Sequence, residues 1–288
     1  MTHTLVRNMP RALEWGKTIL SEVAKTGAMF LNVVNRPLVL MYTLSGEISK
    51  AVEACQMLES HDRKPGAGGA CWLEGSASPG FLHFRLGEWD KAGEVLQAAL
   101  SAHQDRHNAA GVNACSFALG SLNLELDNHP KAEEHLLKSF EICQSGGNVV
   151  SELWVLPVLA ELYLKMGEPD KTAEYVERGF ELLKPDKNWY GLPAPVYLAK
   201  GMMATAQQDW QTAAESFDKA IQINRQYQLP WDEARTLYER GLMYLARGQE
   251  GDRDKAHEDL DEALAIFQRV SAKKDVEKVL GKKEMLGA

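Results

Sequence analysis

Gly87-Glu88-Trp89-Asp90-Lys91-Ala92, followed by Leu96, Ala99 and Leu100, is a short polar turn running into apolar residues at helical spacing. A glycine-led turn, then a stripe recurring every three or four residues, reads as a link into an amphipathic helix. The same reading applies at Gly46-Glu47-Ile48-Ser49-Lys50-Ala51, Asp127-Asn128-His129-Pro130-Lys131-Ala132, Gly167-Glu168-Pro169-Asp170-Lys171-Thr172, Gln208-Asp209-Trp210-Gln211-Thr212-Ala213 and Gly251-Asp252-Arg253-Asp254-Lys255-Ala256. The six starts are spaced by 41, 40, 40, 41 and 43 residues, the last step lengthened by a three-residue insertion between Gly248 and Gly251. A second apolar stripe leads into each turn, as Leu119, Leu122 and Leu124 do before Asp127, so the repeating unit is a helical hairpin.

Small residues hold fixed places in the unit. Seven residues before the turn stand Val39, Gly80, Gly120, Ala160, Gly201 and, counted from Gly248, Gly241. Five after it stand Ala51, Ala92, Ala132, Thr172, Ala213 and Ala256; twelve after it stand Leu58, Ala99, Ser139, Gly179, Ala220 and Ala263. Sixteen of these eighteen are Gly, Ala, Ser or Thr, where ordinary composition would place about five, so chance is dismissed. Small side chains at a helix crossing let the axes come to the short end of the usual 8–10 Å spacing, which a stack of hairpins requires.

The pattern resembles the tetratricopeptide repeat (TPR), with Gly80, Ala92, Leu96 and Ala99 in the second unit and Gly201, Ala213, Phe217 and Ala220 in the fifth. The period exceeds the 34 residues of that family, and the surplus is expected before the first helix of each unit, around residues 60–66, 144–147 and 184–188. Prolines at 37, 79, 157 and 195 predict helix starts or kinks. The resemblance implies an all-α, right-handed solenoid over residues 1–288: a partial N-terminal repeat helix in 1–26, hairpins at 27–59, 68–104, 108–143, 149–183, 192–225 and 230–270, and a capping helix in 271–288. In that cap Val276, Val279 and Leu280 are expected inward.

The last sixty residues, from Leu229-Pro230-Trp231-Asp232-Glu233-Ala234-Arg235 through Ala263-Leu264-Ala265-Ile266-Phe267, look like the C-terminal TPR end of large bacterial signalling proteins. There such arrays follow a STAND-type regulatory ATPase, sometimes with a nucleotide cyclase or a LuxR-type DNA-binding domain. That likeness implies a sensor or regulatory arm with an ATPase upstream in the same polypeptide. The unpartnered helix at Met9–Lys25 agrees with an excised array, and a free-standing adaptor is the alternative.

Composition narrows the partners. Lys and Arg number 32 against 40 Asp and Glu, a net charge of −8, the wrong sign for a phosphate-backbone reader, so nucleic acid is not expected. The apolar run Ala28–Leu44 is broken by Asn32, Asn35, Arg36 and Pro37, and no membrane span or signal peptide is read; the cytoplasm is the expected compartment. Cys55, Cys71, Cys115 and Cys143 form no Cys-x-x-Cys and are expected as buried apolar residues. His103 and His107 have metal-ligand spacing, but without further ligands no metal is expected. The run Gly66-Ala67-Gly68-Gly69-Ala70 lacks the lysine of a P-loop, and no cofactor or catalytic residue is assigned.

The remaining functional surface is the concave groove that first helices line in TPR proteins. Transferring repeat positions gives Arg36, Leu40, Glu74, Phe81, Phe117, Ser121, Trp154, Glu161, Tyr197, Met202, Arg235 and Tyr238 as candidates. The chaperone-type carboxylate clamp is not matched, since its places hold Ala77, Phe81, Ala118, Trp154 and Val158. Aromatic anchors suit a protein or peptide ligand, with homo-oligomerisation left open and an enzyme or RNA reader as remote alternatives.

Overall fold

In the computed structural model, which describes residues 7–26, 31–62 and 77–287, left-handed backbone recurs every twenty residues, at Gly87, His107, Asp127, Gly147 and Gly167. Each of these residues ends a helix. After Gly87, His107, Asp127 and Gly167 the next amide returns to a carbonyl five back, as Asn108 N to His103 O, Asn128 N to Asn123 O and Glu168 N to Tyr163 O do at 2.9 Å, which satisfies carbonyls the helix leaves unpaired. Asn108, Asn128, Asn148 and Asp209 then open the next helix by accepting a hydrogen bond from the amide three residues on, at 3.1–3.5 Å. One helix is stopped and the next started within three residues.

Fourteen helices and no strand occur among the described residues: α1 Met9–Thr26, α2 Leu31–Ser45, α3 Ile48–Asp62, α4 Ala77–Arg85, α5 Trp89–Asp105, α6 Ala109–Glu125, α7 His129–Ser145, α8 Val149–Lys165, α9 Pro169–Leu182, α10 Pro193–Ala206, α11 Trp210–Gln226, α12 Pro230–Arg247, α13 Asp252–Arg269 and α14 Lys273–Gly287. They form two compact units, Met1–Gly147 and Asn148–Ala288. The first holds α1 and the hairpins α2/α3, α4/α5 and α6/α7; the second holds α8/α9, α10/α11, α12/α13 and α14. Within each unit neighbouring first helices also pack together, α2 on α4 and α4 on α6, then α8 on α10 and α10 on α12.

The fixed small residues are notches. A Cβ placed on Gly80 would lie 2.4 Å from Leu96, on Gly120 2.6 Å from Leu136, and on Gly201 2.7 Å from the Phe217 ring. At Ala160 the second helix brings the smaller Val176. Leu96 and Leu136 are 0% exposed and Phe217 1%, so each insertion contributes about 2 kcal/mol through apolar burial.

Three expectations need adjustment. The surplus over 34 residues does not sit in a link before α8: α6 and α7 are 17 residues each with a three-residue link, Gln144 and Ser145 belong to α7, and the helices themselves are longer. A long connection does occur at 183–192, before α10, whereas 63–76 lie outside the described residues. Pro79 and Pro195 fall in first turns as expected, but Pro37 and Pro157 lie inside α2 and α8. Leu280 is not inward; it is 42% exposed, while Val279 is fully buried. Cys55, Cys115 and Cys143 are buried, and burial pushes the Cys115 thiol up to about 12; Cys71 lies outside the described residues.

Candidate functional site

In the second unit the first helix α10 packs against both α8 and α12, and α14 packs against α13. The Trp231 indole N–H donates to Asp275 Oδ2 at 3.0 Å, and Lys278 Nζ lies 5.3 Å from the centre of the Tyr238 ring, so α12 and α14 are joined on this face. Residues four apart on one helix share a face, which sets Glu161 beside Lys165 on α8 and Arg235 beside Glu239 on α12.

The charges converge. Glu161, 5% exposed, accepts a hydrogen bond from Arg235 Nη2, a pair that bridges from α8 to α12 although α10 packs against both. Lys165 Nζ stands 3.7 Å from the other carboxylate oxygen, and the Arg235 guanidinium lies 5.7 Å from the Trp231 ring centre. Burial alone would raise the Glu161 pKa. The charges of Arg235, Lys165 and Lys278 and the hydrogen bond from Arg235 outweigh it and hold this carboxyl below its ordinary value. Glu239 goes the other way: burial, then repulsion from Glu161, raises its pKa against the attraction of the same three cations. One carboxylate is thus saturated by cations while its neighbour is kept reluctant to ionise.

The sequence-derived candidates divide between the two units. Glu161, Arg235 and Tyr238 are brought together, and Trp154, half-buried, lies seven residues before Glu161 on α8. Tyr197 instead meets Phe180 edge-on at 5.1 Å and packs against the cluster of Ala194, Ala220 and Ile223, drawn toward the second helices. Met202 packs against the cluster of Phe217 and Met243. In the first unit Phe81 is 5% exposed, 6.2 Å from Phe84 and beneath the Arg85 guanidinium at 4.8 Å. Phe117 is half-buried, and the Ser121 hydroxyl donates to its carbonyl at 2.9 Å. Leu40 is half-buried on α2; Arg36 is placed on α2 by its backbone, and Glu74 lies outside the described residues. Lys165, Glu239, Lys278 and Trp231 were not singled out from sequence. Repeat register was the available signal, because Lys278 stands 40 residues after Tyr238.

His103 and His107 do not converge. His103 is buried with Nδ1 3.0 Å from Asn108 Nδ2, its ring filling the space over Gly111, while His107 is the exposed left-handed residue that ends α5. Among the described residues no three His, Cys, Asp or Glu side chains could hold a metal ion, and no helix is long and apolar enough to cross a membrane. A shallow cavity of about 610 Å³ between α5 and α7 is lined by solvated polar groups including Gln97, Gln104, Glu134 and His135.

Residues 80–145 match the tetratricopeptide repeat family model. No curated protein matches the chain in sequence. Among solved structures, NprR in complex with its cognate peptide NprX is similar at a TM-score of 0.71 and 15% identity, covering 98% of this chain and 81% of that one. The apo form of RapI is similar at 0.59 and 12% identity, covering 89% and 98%. The chain is a TPR-like helical-repeat protein.

Proposed function

We propose that this chain is a non-catalytic recognition array that takes a peptide or protein segment across the first-helix face of its second unit. The observation that carries the reading is the bridging Glu161–Arg235 pair, with Lys165, Glu239, Lys278 and Tyr238 around it. Polar groups held rigid on helices are set to orient a ligand backbone or side chain at low entropic cost, with Trp154 and Tyr238 as aromatic anchors. The likeness to NprR, solved with its cognate peptide, supports the same mode here. The resemblance of the last sixty residues to bacterial signalling arrays supports reading that recognition as the task of a regulatory arm in a larger cytoplasmic protein.

Selection of a random peptide library on the full chain tests it. Enriched peptides should lose at least tenfold in affinity on Lys278→Ala and Trp154→Ala, and keep it on Gln222→Ala, an exposed residue of second helix α11. Peptides indifferent to the first two substitutions would sink the reading.

A further inference from the structure

Two polar groups beside the Glu161–Arg235 bridge keep hydrogen-bonding capacity in hand. Glu239, one turn past Arg235 on α12, is half-buried, yet among the described residues its carboxyl accepts no hydrogen bond and joins no ion pair. Lys165, the last residue of α8, has a side chain 31% exposed and a Nζ 3.7 Å from Glu161, too far for a hydrogen bond, and it donates none among the described residues. Each feels the other's charge across the two helices. Other partly buried charges of this unit are matched, Arg178 with Glu152 and Arg240 with Asp259. A half-buried acceptor left unmatched costs stability, and a ligand that supplies its donor recovers the loss.

The surrounding charges select the complement. A carboxylate brought to Lys165 meets Glu161, which its cations hold ionised, and Glu239 beyond it. An ammonium brought to Glu239 meets Arg235, Lys278 and Lys165, and needs Glu239 ionised, which burial and Glu161 both oppose. Like-charge juxtaposition of this kind rejects a ligand as effectively as good contacts attract one. A neutral head that carries an acceptor and a donor together meets neither penalty. The primary carboxamide is such a head: its carbonyl accepts from Lys165 and its amide N–H donates to Glu239, a carboxyl that can accept whether or not it carries a proton. The peptide bond offers the same atoms, but it brings its flanking residues with it, whereas a half-buried group between charged neighbours is reached by the tip of a side chain.

Resting on the reading of this face as a peptide-binding surface, we infer that Lys165 and Glu239 form a specificity site for a Gln or Asn side chain of the ligand. Lys165 supplies the donor from α8, Glu239 the acceptor from α12, and the Glu161–Arg235 bridge fixes the two helices between them.

The probes are peptides enriched from the random library on the full chain, resynthesised with a fluorescein label and titrated by fluorescence anisotropy. They should share a Gln or Asn at one place, and replacing it by Glu, Lys or Leu should weaken binding at least tenfold. In the chain, Lys165→Met and Glu239→Leu should each weaken the shared-amide peptide at least tenfold, and Glu239→Gln, which keeps a carbonyl oxygen, should recover most of what Glu239→Leu loses. Against the peptide with Leu at the shared place the same substitutions should cost nothing further, which separates a lost hydrogen bond from a disturbed fold. Peptides that need Trp154 and Lys278 but share no Gln or Asn, or that ignore Lys165→Met and Glu239→Leu, would overturn this inference and leave the reading of the face standing. Peptides that ignore Trp154 and Lys278, or no enriched peptide at all, would overturn both.

Discussion

Placing one methyl group at two equivalent notches should move stability in opposite directions. At Gly120 an added Cβ falls 2.6 Å from Leu136 Cγ, 2.8 Å from Cδ2 and 3.1 Å from its backbone nitrogen, and Leu136 is 0% exposed, so neither side chain nor backbone can withdraw freely. Overpacking of this kind costs about 1–3 kcal/mol. Replacing glycine by alanine inside a helix returns about 0.5–1 kcal/mol. Gly120→Ala should therefore lose about 1–2 kcal/mol net, a fall in Tm of about 2–4 °C for each kcal/mol. Gly281→Ala meets nothing and keeps only the helical gain, so its Tm should rise by a degree or two. Leu136→Ala alone should cost about 2–5 kcal/mol, but combined with Gly120→Ala it should cost clearly less than the sum, because the new methyl occupies space the leucine leaves. Thermal and urea unfolding followed by circular dichroism at 222 nm reads all four chains. A Gly120→Ala chain as stable as the Gly281→Ala chain, or strict additivity in the double mutant, would refute the notch as the device that sets helix spacing.

Other consequences follow from the charges and the turns. Arg235→Ala strands the buried Glu161 carboxylate with Lys165 at 3.7 Å as its remaining close cation, and should cost about 3 kcal/mol in urea unfolding. Glu161→Gln on that background should restore part of the loss. Glu239 has its pKa raised in the folded state, so its contribution to stability falls as pH rises from its unfolded value of 4.5 through the folded one, and Glu239→Gln should be more stable than the parent at pH 7. Asp252 is held down to about 2, first by the hydrogen bond from Arg247 and then by that from the Gln249 amide. Its contribution is full above its ordinary 3.8 and is lost as pH falls toward 2, so Asp252→Asn should flatten the acid limb of the stability profile. Gly167 sits at φ +73°, and Gly167→Ala should cost about 1 kcal/mol, whereas Gln208→Gly, at φ +59°, should be neutral or slightly stabilising by differential melting.

The hairpins were legible because their determinants are local or strictly periodic. Asn128 capping α7 and glycines forming notches follow from spacing that can be counted along the chain. The first-helix face was only half legible. Register places a residue on a side of a helix, but whether it stays there depends on what the neighbouring helices offer. Tyr197 found Phe180 and Ile223, and Met202 found Phe217, so both were absorbed into packing. Glu161 and Arg235 stayed on the face because each supplies the charge the other needs, across 74 residues of sequence that no periodicity connects. Leu280 was misplaced for a related reason: an apolar residue in an inward-looking pattern is buried only if another element covers it.

The notches are not all interchangeable, and that bears on how the chain avoids folding wrongly. Arrays of similar hairpins are prone to misassembly, in which a helix pairs with the wrong neighbour during synthesis or refolding. Here Gly201 accepts the ring of Phe217, Gly120 accepts Leu136, and Ala160 meets Val176. Phe217 offered to Ala160 would collide, and Val176 offered to Gly201 would leave a void. The hairpins α8/α9 and α10/α11 thus carry size-coded addresses that reject each other's second helix, whereas the Gly/Leu notches at Gly80, Gly120 and Gly241 share one.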